Sequence, residues 1–208
     1  MILETLPVGP LQANCYIVGC EETQKGFIID PGGEAERILA AVDRLGLEIE
    51  YIFDTHEHVD HIAANQAVKD ATGATLVVHE DGREEVEHPH PYWSSMVGGV
   101  EPSQPDEGMV EGDTYEIGTL TVRVVHTPGH SLACVCLALD DVLFTGDTLF
   151  AGSVGRTDFP GGDMATLERS LQRLVDEFAD ETTIYPGHMA SSSIGEEKRS
   201  NPFLQGLG

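Results

Sequence analysis

Apolar residues along this chain come in short blocks cut by glycine and proline, and the spacing inside each block separates strand from helix. Cys15-Tyr16-Ile17-Val18 and Phe27-Ile28-Ile29 read as strands, the second stopping abruptly at Asp30-Pro31-Gly32-Gly33. A helix is expected from Glu34 to Leu45. Ile38, Ala41, Val42 and Leu45 recur there at helical spacing, acidic residues fill the first turn, and Gly46 stops it. Ile49 to Phe53 reads as a strand whose end delivers the chain into Asp54-Thr55-His56-Glu57-His58-Val59-Asp60-His61. Ile62 to Thr72, closed by Gly73, predicts a second helix, and Ala74 to Val78 another strand. From Arg83 to Gly112, Pro, Gly and charge break the rhythm, which predicts a loop or lid with room for a short helix.

Beyond Asp113 strands dominate: Thr119 to Val125, Leu132 to Leu139, and Val142 to Phe144 after a turn at Asp140-Asp141. A third helix is expected from Asp163, its N-cap, to Phe178, with Leu167, Leu171, Leu174, Val175 and Phe178 forming one apolar stripe. A final strand, Thr182 to Tyr185, runs into Pro186-Gly187-His188. The order predicts an α/β chain of two βα-type halves packed sheet on sheet with helices outside, as one domain over residues 1–208.

Charge narrows the choice of partner. With 36 Asp+Glu against 11 Lys+Arg the formal net charge is −25, so the chain lacks the cations that give nucleic-acid affinity, and anionic membranes are excluded on the same ground. Self-repulsion of this size is relieved when the Debye length shrinks to about 3 Å near 1 M salt, and a halophilic protein of a salt-rich cytoplasm is expected. No apolar run reaches the roughly 18 residues of a membrane span, and Met1-Ile2-Leu3-Glu4 lacks the start of a signal peptide. Cys15, Cys20, Cys134 and Cys136 are too few and too irregularly spaced for a disulfide framework or a zinc ribbon, and are expected as small buried hydrophobes.

The chemistry concentrates in His56-Glu57-His58-Val59-Asp60-His61, a pattern that chance would produce on the order of once in a thousand chains of this composition. Residues two apart at a strand end face one way, so His56 and His58 can reach one ion, and the turn that follows can aim Asp60 and His61 at a second. Thr127-Pro128-Gly129-His130, Thr145-Gly146-Asp147 and Tyr185-Pro186-Gly187-His188 repeat one design, a β-run ending in a glycine-freed turn that projects a ligand-type side chain. Five imidazoles and two carboxylates suit two divalent metals that each keep a position open for water; zinc is favoured, with iron and manganese also compatible. His79, His88, His90 and His126 are expected to be structural or exposed, His126 with an option on supporting the ligand loop.

These motifs, together with Ser131 after His130 and Thr148-Leu149-Phe150 after Asp147, resemble those of the metallo-β-lactamase superfamily, and within it the glyoxalase II-like hydroxyacylglutathione hydrolases. The similarity runs from Gly9-Pro10-Leu11 to Asn201-Pro202-Phe203-Leu204. It implies a four-layer αβ/βα sandwich, a first metal on His56, His58 and His130, a second on Asp60, His61 and His188, and Asp147 bridging both. It also implies hydrolysis of a small-molecule thioester by a hydroxide held between the metals, with Asp60 orienting that nucleophile. Classical glyoxalase II holds glutathione through a C-terminal helical domain that this chain is expected to lack, which leaves the thiol carrier open. Arg156 is the candidate contact for a substrate carboxylate, with an ion pair to Asp158 or Asp163 as the competing role. Tyr92 and Trp93 are expected to pack against their own loop, with a place on the pocket wall as the other option.

Two other functions stay in view. Gly155-Arg156-Thr157-Asp158-Phe159 also resembles a stretch of the persulfide dioxygenases, which would use a single Fe(II) on two imidazoles and Asp147. A non-enzymatic protein with a structural metal site is the second. β-Lactam hydrolysis is disfavoured, because Asp147 stands where common lactamases place a cysteine.

Overall fold

The computed structural model describes residues 1–206. Its first sheet holds β1 (Ile2–Val8), β2 (Ala13–Gly19), β3 (Lys25–Ile29), β4 (Glu48–Phe53), β5 (Thr75–His79) and β6 (Glu107–Met109), in that spatial order. Pairing is antiparallel through β3 and parallel beyond it. The second sheet holds β7 (Thr114–Ile117), β8 (Leu120–His126), β9 (Val135–Leu139) and β10 (Val142–Gly146). A small hairpin of β11 (Leu149–Phe150) and β12 (Ser153–Val154) precedes its last strands, β13 (Thr183–Pro186) and β14 (Ser192–Ser193). The spatial order is β14-β13-β10-β9-β8-β7.

Helices cover both outer faces. On the first sheet lie α1 (Ala35–Leu45) and α3 (Asn65–Thr72), the latter preceded by the single turn α2 (Val59–Ile62); α4 (Arg83–Glu87) and α5 (Pro91–Met96) follow β5. On the second sheet lie α6 (Met164–Glu177) and α7 (Ile194–Ser200). Alternation along the strands sorts the core into three layers. Ile17, Ile28 and Ile52 point outward to Ile38 of α1 and Val68 of α3. Val18, Phe27, Ile29 and Phe53 point inward to Val122, Val124, Leu137 and Phe144 of the other sheet. Val125, Leu143 and Ile184 point outward to Leu167, Leu171 and Leu174 of α6 and Ile194 of α7. Each such buried side chain contributes about 1.5–3 kcal/mol of hydrophobic stabilisation. Two sheets between two helical layers form the expected four-layer αβ/βα sandwich.

Several boundaries differ from the pattern's prediction. The helix expected over Ile62–Thr72 is two helices, because the Ala64 N–H turns aside to the Pro31 carbonyl, 2.8 Å away. Its first turn starts earlier, at Val59, and so carries Asp60 and His61. The strand expected from Leu132 begins at Val135, leaving Leu132 exposed in a turn. The irregular stretch from Arg83 holds α4, α5 and the edge strand β6. The sequence reading found neither β1, a half-exposed edge strand, nor the short β7. All four cysteines are buried free thiols. Among the described residues no helix is long and apolar enough to cross a membrane.

Candidate metal centre

All seven predicted side chains gather at one edge of the sandwich, where strands of both sheets end. His56 and His58 follow β4, Asp60 and His61 sit on α2, and His130, Asp147 and His188 follow β8, β10 and β13. Donor atoms of His56, His58 and His130 lie within 4.8 Å of one another, as do those of Asp60, His61 and His188. Asp147 stands between the groups: Oδ1 is 3.5 Å from His61 Nε2, and Oδ2 is 3.5 Å from His130 Nε2 and 3.8 Å from His188 Nε2. Asp60 Oδ2 is 3.2 Å from His188 Nε2 and 3.6 Å from His61 Nε2. Two donor atoms on one tetrahedral ion, each about 2.1 Å from it, stand roughly 3.4 Å apart.

The backs of three imidazoles are anchored, which fixes what their fronts offer. Asp30, buried at the end of β3, accepts from the Thr55 N–H (2.7 Å), from Thr55 Oγ1 (2.7 Å) and from His61 Nδ1 (2.9 Å). Since Thr55 Oγ1 donates to Asp30, it accepts from His56 Nδ1 at 3.1 Å. His130 Nδ1 donates to the Arg156 carbonyl at 2.7 Å, leaving Nε2 with a lone pair 2.8 Å from His58 Nδ1. These contacts turn Nε2 of His56 and His61 toward the other ligands beneath the cleft, where both are buried without a hydrogen-bond partner, as is Asp147 Oδ1. Three orphaned atoms on a nitrogen- and oxygen-rich set are what divalent metal ligands look like, because a buried polar atom left unpaired otherwise costs about 1–3 kcal/mol. The residues present fit the implied metals.

Electrostatics agree with that fit. Burial holds His58 and His130 down at about 4 and His56 well below its usual range, so all three present neutral imidazoles. At His61 burial pulls the same way, but Asp60, Asp147 and Asp30 outweigh it and raise the imidazole to about 10. Burial would likewise raise Asp60, yet His61 and His188 hold its carboxyl well below the usual range. Three carboxylates, Asp60, Asp147 and Asp30, thus converge on His61, an excess of negative charge that a cation relieves.

The loops reach these positions by close backbone approach. A Cβ on Gly32 would stand 1.7 Å from the Asp60 carbonyl oxygen, and one on Gly187 would stand 2.3 Å from Asp147 Oδ1. Asn14 and Tyr16, both buried on β2, fasten the last ligand loop. Asn14 Nδ2 donates to the carbonyls of Pro186 and Met189 (2.9 Å each), and the Tyr16 hydroxyl to that of Pro186 (2.6 Å). Sequence reasoning missed Asp30, Asn14 and Tyr16 as supports. The one available signal was Asp30, an acidic residue closing an apolar run immediately before Pro-Gly-Gly.

The ligands floor a cleft of about 740 Å³. Trp93 on α5 forms part of its wall, its ring 4.9 Å from that of Phe159, so it packs across the cleft and not only on its own loop. Tyr92 remains exposed outside the lining. Arg156 lines the cleft, and its guanidinium is held side-on by both oxygens of Asp158 at 2.6 Å and lies 3.8 Å over the Phe159 ring. His90, read as structural or exposed, lines it too. His126 stacks on His79, with ring centres 4.3 Å apart, and the pair forms a separate trio with Asp81.

Comparison with known proteins places this geometry. The model of the metallo-β-lactamase superfamily matches residues 8–188. The hydroxyacylglutathione hydrolase GloC of Haemophilus influenzae is 34% identical over 98% of this chain and 98% of its own. The crystal structure of the BLEG-1 B3 metallo-β-lactamase is 35% identical, with a TM-score of 0.90 over 99% of this chain and 100% of that one. TTHA1623, solved in a di-iron-bound form, is 35% identical with a TM-score of 0.87 over 98% of this chain and 100% of that one. The motifs, the four-layer sandwich and the convergence of ligands at its edge have one common explanation: the chain belongs to the metallo-β-lactamase superfamily.

Proposed function

We propose that the chain is a metal-dependent hydrolase of small-molecule acyl thioesters. The observation that carries this reading is the set of three orphaned donors, His56 Nε2, His61 Nε2 and Asp147 Oδ1, buried beneath one open cleft. His56, His58 and His130 would hold one divalent ion and Asp60, His61 and His188 another, with Asp147 offering an oxygen to each group. When bound, such ions bring the pKa of a water toward neutrality and polarise a carbonyl oxygen. Asp60, in contact with His61 and His188, is the carboxylate placed to orient the attacking water. Departure of the thiol needs no proton donor at the leaving atom, since a thiol of pKa about 8.5 leaves as thiolate. The likeness to GloC supports this reaction class. The di-iron form of TTHA1623 keeps iron beside zinc as the metal.

The test pairs metal analysis of the purified protein with hydrolysis of S-lactoyl thioesters of several thiols. Near two metals per chain and thioester cleavage are expected. One iron per chain with oxygen uptake on a persulfide would replace the proposal by the dioxygenase reading, for which the cleft position of Arg156 and Phe159 speaks. A β-lactam belongs in the same panel because of the likeness to BLEG-1. Full metal content without turnover of any of these would leave a structural metal site.

A further inference from the structure

The cleft states which thioesters it can take, an inference that rests on the hydrolase reading above. Arg156 is the single lysine or arginine among its described lining residues, against the carboxylates of Glu57 and Glu85, Asp60 and Asp147 being committed to the proposed metals. That guanidinium is already occupied, by two 2.6 Å contacts to Asp158 and by the face of Phe159. Its backbone is tied down as well, through the carbonyl that accepts from His130. Arg156 is therefore engaged as wall, and a substrate carboxylate would have to compete with Asp158 for its guanidinium.

The remaining wall is apolar on both flanks of the ligand cluster. At the His58 flank stand Phe159, its ring centre 6.0 Å from that of His58, and Trp93 against it, while Met96 also lines the cleft. At the His188 flank stand Leu11, Phe150 and Met189, with the Phe150 ring centre 6.1 Å from that of His188. Leu11, Met96 and Met189 are 45%, 49% and 59% exposed, an apolar rim on a chain of net charge −25. Exposed apolar groups gathered at one mouth mark a binding surface. Met189 is held there with φ +70°, a conformation unfavourable to a side-chain-bearing residue, by the Asn14 bond to its carbonyl.

We infer that the substrate is an uncharged thioester with an apolar body on both its acyl and its thiol side, and that glutathione thioesters, which carry two carboxylates against one ammonium, are poor substrates. Burying an aromatic group against such walls gives about tenfold or more in affinity. Away from the ions on the floor, an additional carboxylate meets Glu57 and Glu85 and no unpaired cation on the wall.

Trp93 is the only tryptophan of the chain, so its fluorescence reports occupancy of the wall directly. Two non-hydrolysable thioethers serve as probes, S-benzyl-N-acetylcysteamine (neutral) and S-benzylglutathione (anionic), titrated into the metal-loaded protein in dilute and in concentrated KCl. The neutral probe is expected to quench Trp93 with a Kd at least about tenfold lower in both salts. Met96→Arg, at an exposed rim position, is expected to narrow the gap by tightening S-benzylglutathione. Equal or tighter binding of the glutathione probe would overturn the inference. So would a preference that vanishes in concentrated KCl, which would trace it to overall charge and not to the cleft. Hydrolysis of the benzoyl thioesters of the same two thiols separates this proposal from the one it rests on. Cleavage with glutathione preferred refutes the substrate class alone, and cleavage of neither, with the binding preference intact, refutes the thioesterase reading.

Discussion

The floor and the wall of the cleft are built by different means. On the floor, His56, His61 and His130 each spend their second ring nitrogen on a fixed acceptor, Thr55, Asp30 and the Arg156 carbonyl respectively. On the wall, Trp93 and Phe159 meet only by ring contact, and Trp93 belongs to a helix of six residues, none of them buried. A floor fixed by hydrogen bonds, one of them to the Asp30 carboxylate, holds donor atoms in place before any ligand arrives. A wall fixed by apolar contact can be exchanged without disturbing them. Within one superfamily, that division of labour lets chemistry stay while substrates change.

The division breaks most visibly at Asp147. Replacing it with Ala removes the side chain that faces both groups, and is expected to strip metal from the purified protein and to lower kcat/KM on a thioester by about a thousandfold or more; an unchanged metal-to-protein ratio by elemental analysis would refute its place between two ions. Thr55→Val touches no proposed metal ligand atom but removes the hydroxyl between Asp30 and His56. Metal affinity, measured by chelator competition, is expected to fall about 10–100-fold. Phe159→Leu sharpens the contrast from the other side: KM for a bulky thioester is expected to rise by up to about tenfold with metal content unchanged, and joint loss of metal and activity would mean that wall and floor are one unit.

Smaller effects read the same contrast through stability. In the metal-free protein His58 and His130 titrate near 4, against an ordinary 6.5, because they are buried. Between those values the unfolded chain binds more protons than the folded one, so stability falls as pH falls from about 6.5 to about 4. His61, raised to about 10, is protonated in both states over that window and adds no slope there. Thermal melts of chelator-treated protein are expected to show the drop, and bound metal, which keeps these imidazoles deprotonated, to steepen it. A flat Tm would contradict neutral imidazoles on the floor. Finally, screening of the −25 charge is expected to raise Tm by a few degrees as KCl approaches 1 M; a melting curve indifferent to KCl would remove the adaptation to salt.

What was legible in the sequence follows the same line. The strands that end in ligands were readable because each ligand sits within a few residues of the apolar run and glycine that aim it, as in Val124-Val125-His126-Thr127-Pro128-Gly129-His130. The outer helix α6 was readable from its stripe and its cap, Asp163 accepting from the Thr166 N–H. The supports were not. Asp30 acts on residues 25 and 31 positions away and Asn14 on one 172 away, and no local pattern encodes such pairings. Trp93 was assigned mainly to its own loop because its partner Phe159 lies on a segment that only the docking of the second sheet brings near. The break between α2 and α3 escaped notice because the helical spacing of apolar residues continues across it, while the cause is a distant carbonyl, that of Pro31.

The clasp of Asn14 and Tyr16 on the Pro186 carbonyl joins a strand near the start of the chain to the loop carrying the last ligand. During synthesis, therefore, a ribosome-bound chain lacking β13 has neither His188 nor the contact that would hold it. Four of the seven ligand residues are made before the second sheet. His56, His58, Asp60 and His61 belong to the first half of the chain, whereas His130, Asp147 and His188 follow strands of the second sheet. The seven side chains can therefore surround an ion only after β13 has docked on β2, so closure of the site is timed by the completion of the fold.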